Sequence, residues 1–206
     1  MKVRLKVLLN ELRGSAWRPS VRGANCPVKS GKSMSNRWIK MKLKLNTKIC
    51  YLIGLCNRNE NSIYISTEYD EILEKFIEIA INELSIKPDK IIINKKENKI
   101  IAFSYNSKIK NFFISILETR DYTFKYFNDY SSNYFAGLFD SKGYIENNHL
   151  YFKSIDLNDQ MILEKFKIHL RKTTNNSYKI ISQNLFIILV KQNSVKINLF
   201  FKKEKL

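Results

Sequence analysis

From residue 46 onward, apolar positions fall into long and short runs separated by polar turns. Thr47–Cys56 is apolar almost all round, the pattern of a buried helix. Ser62–Ser66 alternates as a strand does. Between Glu68 and Leu84, Ile72, Leu73, Phe76, Ile79, Ala80 and Leu84 recur at helical spacing, with Glu71, Glu74, Lys75 and Glu78 among them. Two β-branched runs, Lys90–Asn94 and Lys99–Tyr105, flank the polar stretch Lys95–Asn98 and predict a hairpin. Ser107–Glu118 then reads as a helix, with Ser107 a candidate N-cap. An aromatic connection, Asp121–Tyr130, follows.

The order then repeats. A helix over 131–141 leads to strands Gly143–Glu146 and His149–Ile155 around the turn Asn147-Asn148. A helix Asn158–Lys172 follows, then strands Tyr178–Ser182 and Leu185–Lys191 around Gln183-Asn184, and a last helix from Ser194. The second unit has room for two strands between its first two helices, and the first has room for one. The pattern thus predicts an α+β fold of two pseudo-symmetric αββαββα-type units, over 46–128 and 129–206, with the first lacking one strand. Residues 1–45 predict an irregular arm. After a short helix over Val3–Leu12, that arm is punctuated by Gly14, Pro19, Gly23, Pro27 and Gly31.

Both units open on one motif. Tyr134–Gly143 reads YFAGLFDSKG and Tyr51–Glu60 reads YLIGLCNRNE. Setting Gly54 on Gly137 pairs Tyr51 with Tyr134, Leu55 with Leu138, Asn57 with Asp140 and Asn59 with Lys142. A glycine inside a helix costs about 1 kcal/mol against alanine, so it marks a close backbone approach. Gly54 and Gly137 are therefore expected to pack two helices against each other about a pseudo-twofold axis, making the chain a monomer with internal symmetry.

FAGLFDSKG resembles the LAGLIDADG motif of homing endonucleases and intron maturases, and LIGLCNRNE resembles a decayed second copy. The resemblance implies that four strands of each unit form a saddle over a nucleic-acid groove. It also implies that an acidic residue at the eighth motif position of each copy holds a divalent metal, usually Mg²⁺, at the scissile phosphates. Here those positions are Asn59 and Lys142. Asn has no charge, and a protonated Lys does not ligate Mg²⁺. Asp140, at the sixth position, is expected to be structural. Glu60 is displaced by one residue, and Glu146 belongs to a strand. The expectation is a cleavage-defective binder with no catalytic residues, no metal and no cofactor. An active intron-encoded endonuclease with rearranged ligands, and hence Mg²⁺, is the alternative.

Charge sharpens the picture. The 206 residues carry a net +17, and residues 1–48 hold 13 Lys/Arg against Glu11 alone. A basic arm on a more balanced body points to a polyanionic partner. The candidate contacts are Arg13, Arg18, Arg22, Lys29, Lys32, Arg37, Lys40, Lys42 and Lys44 on the arm, and Lys95, Lys96, Lys99, Lys153, Lys179 and Lys191 on the strands. RNA is favoured over DNA. WRPSVRGANCPVKSGKS also resembles a segment of ribosomal protein uL2, which implies a ribosome or other ribonucleoprotein as a further alternative, with the chain as a structural component. No apolar run reaches the ~18 residues of a membrane span. Cys26, Cys50 and Cys56 have no zinc-site spacing and give no disulfide framework. An organelle matrix, mitochondrial for preference given the Asn/Lys/Ile-rich composition, and a reducing compartment are the expected setting.

Overall fold

The computed structural model describes residues 43–58, 62–96, 99–173 and 176–203. The first half runs α1 (Thr47–Leu55), β1 (Asn57–Arg58), β2 (Ser62–Thr67), α2 (Asp70–Asn82), a 3-10 turn at Pro88–Lys90, β3 (Ile91–Lys96), β4 (Lys99–Tyr105), α3 (Ser107–Glu118) and the short α4 (Arg120–Thr123). The second half runs α5 (Asp129–Lys142), β5 (Gly143–Glu146), β6 (His149–Phe152), α6 (Leu157–Lys165), β7 (Leu170–Lys172), β8 (Tyr178–Ile180), α7 (Gln183–Val190) and α8 (Val195–Lys203). Each half holds a four-stranded antiparallel sheet, in the orders β1-β2-β4-β3 and β5-β6-β8-β7. The two sheets have the same topology.

Four expectations are corrected. The first unit does not lack a strand: β1 occupies the place, reduced to two rungs, Asn57↔Tyr64 and Arg58↔Ile63. Too short to show an alternating pattern, it follows α1 with only Cys56 between. Leu185–Lys191 is not a strand. Gln183–Val190 is a helix, because Phe186, Leu189 and Val190 at helical spacing bury themselves while Leu185 and Ile188 stay exposed. A short apolar run fits either element until its partners are known. The helix expected over Asn158–Lys172 stops at Lys165. Lys167 takes φ 60° there, and the chain turns to supply β7 as the partner of β8. Left-handed helix ends usually carry Gly or Asn, so a lysine gives no warning. The α3 cap is also one residue earlier: Asn106 accepts from the Ile109 amide at 3.2 Å.

Local chemistry accounts for the other starts and turns. Asn46 caps α1 through the Ile49 amide at 2.8 Å. Asn128 and Ser131 form a reciprocal capping box at α5. Asn147 and Asn148 take φ 47° and 60°, the conformation a two-residue hairpin needs.

The fold is centred on α1 and α5. Tyr51 and Leu52 of α1 and Tyr134 and Phe135 of α5 are all buried. Gly54 and Gly137 make the approach possible. A Cβ on Gly54 would overlap the Tyr134 carbonyl oxygen and sit 2.8 Å from the Leu138 nitrogen. One on Gly137 would overlap the Tyr51 carbonyl oxygen and sit 2.9 Å from the Leu55 nitrogen. Each glycine thus seats the other helix one turn before its partner glycine. Around this seam Phe139 meets Phe152 and Phe186, with ring centroids 5.6 and 5.5 Å apart. Ile63, Ile65, Ile100 and Ala102 form the inner face of the first sheet. Cys50 and Cys56 are buried, and burial pushes the Cys50 thiol up to about 12, so it is inert as a nucleophile.

Candidate nucleic-acid interface

The ends of the two motif helices set the site. At the second, Asp140 is 2% exposed and its carboxylate is fully occupied. Oδ2 accepts from the Tyr51 hydroxyl at 2.7 Å and the Val195 amide at 2.8 Å; Oδ1 accepts from the Ser194 hydroxyl at 2.7 Å and the Lys196 amide at 3.0 Å. The acid therefore satisfies the amide donors at the start of α8 and ties the two halves together through Tyr51. Lys75 completes the buried network, its ammonium 3.7 Å from the Tyr51 ring centre and donating to the Asn193 carbonyl. Burial lowers the Lys75 pKa, with the Asp140 charge opposing.

Two clefts flank the seam. The first lies at the end of α1 and is lined by Asn57, Arg58, Tyr64, Arg120, Tyr134, Lys142, Asp156 and Asp159, among others. Two carboxylates converge there, but basic and hydroxyl groups already hold them. Arg120 Nη2 donates to Asp156 at 2.8 Å, and the Tyr134 hydroxyl donates to Asp159 at 2.8 Å. Arg120 Nε lies 3.5 Å from Asp159 without hydrogen-bond geometry. Burial pushes the Asp159 carboxyl up to about 6, with Asp156 adding to the effect and Arg120, Tyr134 and Lys142 opposing it.

The second cleft, about 390 Å³, lies at the end of α5. Lys99, Lys153, Lys196 and Lys203 line it together with Glu68, Tyr69 and Tyr144. Lys196 donates to the Gly143 carbonyl at 2.7 Å, and burial brings its pKa down to about 8.

Among the described residues, the donor set at the motif ends does not suit a divalent cation. Asp140 has its lone pairs engaged, Asp156 and Asp159 are paired, and Lys142 brings an ammonium. Among the described residues no three His, Cys, Asp or Glu side chains are grouped to hold a metal. Asn59 and Glu60 lie outside the described residues. Glu146 pairs with His149 at the far end of β5, about 13 Å of extended chain from Lys142.

The lysines singled out on the strands divide. Lys99 and Lys153 enter the second cleft. Lys179 lies across from Tyr151 and Arg171, on the sheet face away from the core. Lys95 pairs with Ile100 and so shares the register of the inner face, although its place on an edge strand leaves it exposed. Lys191 lies beyond α7 with its ammonium 5.1 Å from the Phe201 ring centre, and the Lys96 backbone pairs with Lys99. Lys44 is exposed ahead of α1. The uL2-like stretch and the cations from Arg13 to Lys42 lie outside the described residues. Sequence reasoning missed Arg58, Arg120, Arg171, Lys196 and Lys203. Arg171 was hidden inside the overlong helix; Arg58, in the first motif itself, was the one within reach of the alignment.

The fold is similar to that of mesophilic variants of the homing endonuclease I-DmoI, at 16% identity over 71% of this chain and 96% of that one, with a TM-score of 0.53. I-DmoI in complex with DNA and Mn matches at 17% identity over 70% and 96%, TM-score 0.53. The N-terminal LAGLIDADG domain of DUF199/WhiA matches at 18% identity over 78% and 89%, TM-score 0.54. These likenesses show the LAGLIDADG fold, two four-stranded sheets about paired motif helices. No protein-family profile matches the chain. No curated protein matches it by sequence either. Among the described residues no helix is long and apolar enough to cross a membrane.

Proposed function

We propose that this chain binds nucleic acid on a LAGLIDADG fold without cutting it, with RNA the favoured partner. One observation carries the reading: the carboxylate nearest the second motif end, Asp140, is consumed by four hydrogen bonds, and the position that would present an acid holds Lys142. A metal-dependent nuclease needs free hard oxygen ligands there, both to neutralise the phosphate and to acidify a water. An ammonium repels a dication and attracts a phosphate. I-DmoI, with the same fold, was solved with DNA and Mn, so the architecture accommodates a nucleic acid. Net charge of +17 supplies the attraction.

The test pairs binding with cleavage. The chain is incubated with RNA and DNA duplex libraries in Mg²⁺ or Mn²⁺, and retention and product length are read together. Salt-sensitive binding with no site-specific product is expected. The endonuclease alternative has one specific observation behind it, the convergence of Asp156 and Asp159 beside Lys142. Specific cutting that disappears in Asp156→Asn would establish that alternative and overturn the proposal.

A further inference from the structure

Beside the second motif, the structure brings together a positively charged cleft and a supported aromatic ring. Four lysines, Lys99, Lys153, Lys196 and Lys203, line it. The carboxylates on its wall are Glu68 and Asp140, and Asp140 is already engaged by Tyr51, Ser194 and the start of α8. The uncompensated charge is therefore positive. Lys196 has three donors, of which the Gly143 carbonyl takes one. Tyr144, on the same wall, is stacked on Tyr151 of the neighbouring strand, with centroids 5.0 Å apart and planes within 13°. That stack fixes the ring's orientation before any ligand arrives. The volume, about 390 Å³, lies within the range of about 300–1,000 Å³ that suits a small ligand.

Resting on the nucleic-acid-binding reading above, we infer that this cleft holds one unpaired nucleotide of a bound RNA strand, its base against Tyr144 and its phosphate among the lysines. A base inside a duplex has both faces covered by its neighbours and cannot add to a protein ring. An unpaired or bulged base has a face to offer. Stacking of this kind tolerates any base, so the cleft selects for strand state rather than sequence. The lysines supply the matching charge for the sugar–phosphate on either side.

The experiment uses the full chain and three RNAs of one sequence: a single strand, a perfect duplex, and a duplex with one bulged 2-aminopurine. Binding and 2-aminopurine quenching are measured for the unaltered chain and for Tyr144→Ala. The substitution is expected to weaken the single-stranded and bulged RNAs about 5–100-fold, the range for loss of one base stack. The perfect duplex should stay within about twofold, and quenching should vanish. Tyr144→Phe should retain all three. If Tyr144→Ala does not fold, Lys153→Gln is judged by the same selective loss. Equal loss on all three RNAs, or none on the bulged one, overturns the cleft assignment while leaving nucleic-acid binding intact. Failure of the unaltered chain to bind any of the three overturns both readings. Adenosine monophosphate at millimolar concentration serves as the competing free ligand. It should compete with the bulged RNA alone and bind far more weakly than that RNA does; binding as tight as the bulged RNA's would make the cleft a free-nucleotide site and overturn the strand assignment.

Discussion

The Tyr51 hydroxyl donates to Asp140 across 2.7 Å, so the first tyrosine of one motif is bonded to the acid of the other. Asp140 in turn receives the first amides of α8. In Asp140→Asn an amide nitrogen would face two donors, leaving buried groups unpaired and costing about 1–3 kcal/mol. Tyr51→Phe removes one bond of four, costing about 1 kcal/mol. Urea denaturation of both variants checks the order. Equal, negligible losses would mean that Asp140 does not anchor α8.

Gly54→Ala and Gly137→Ala reverse the usual sign of a helical Gly→Ala change. On an exposed helix each would add about 1 kcal/mol. Here the new methyl meets the opposite backbone, which cannot rotate away as a side chain can. Overpacking should cost about 1–3 kcal/mol, lowering Tm by about 2–10 °C for a body of this size. The two sites share one seam, so the double variant should fall short of the sum. A raised Tm for either single variant would contradict the close pairing of the helices.

Asp159 makes a pH prediction. Its folded pKa of about 6 lies above the ordinary 3.8, with burial the leading cause. The folded chain therefore holds an extra proton between those values. Its contribution is fully present below about 3.8 and is lost as pH rises through 6. Asp159→Asn keeps an acceptor for Tyr134 and has nothing to ionise. Relative to the unaltered chain, the variant should gain about 1–3 kcal/mol between pH 4 and pH 6.5. Parallel stability curves across that interval would show that Asp159 does not titrate there.

The motif glycines, the Asn147-Asn148 turn and the twofold repeat were all legible because local chemistry fixes them. What the sequence hid depended on partners. The strand Asn57–Arg58 exists because β2 is there to pair with it. Gln183–Val190 is helical because Phe139 and Phe152 offer a pocket to Phe186. Asp140 could be read as structural from its motif position, but its attachment to α8 lies 54 to 56 residues away and left no pattern. The second cleft was less visible still. Lys99, Lys153 and Lys196 come from a strand, a loop and a helix, and only the fold gathers them.

The last prediction concerns the basic N-terminal segment. Residues 1–42 contain eleven Lys/Arg and one acidic residue, Glu11, leaving most of the excess charge outside the LAGLIDADG body. Each phosphate that such a cation neutralises releases a counterion, contributing about −0.9 to the slope of log K against log salt on B-DNA and about −0.7 on single strands. If half of these cations make contact, deleting the segment should make the slope shallower by about 4. The cleft lysines would remain, so binding should weaken without being abolished, and the preference for bulged over paired RNA should survive. Affinity is measured from 50 to 300 mM salt for the full and shortened chains. A slope that does not change on deletion would assign the phosphate contacts to the body and leave the segment without a role in binding.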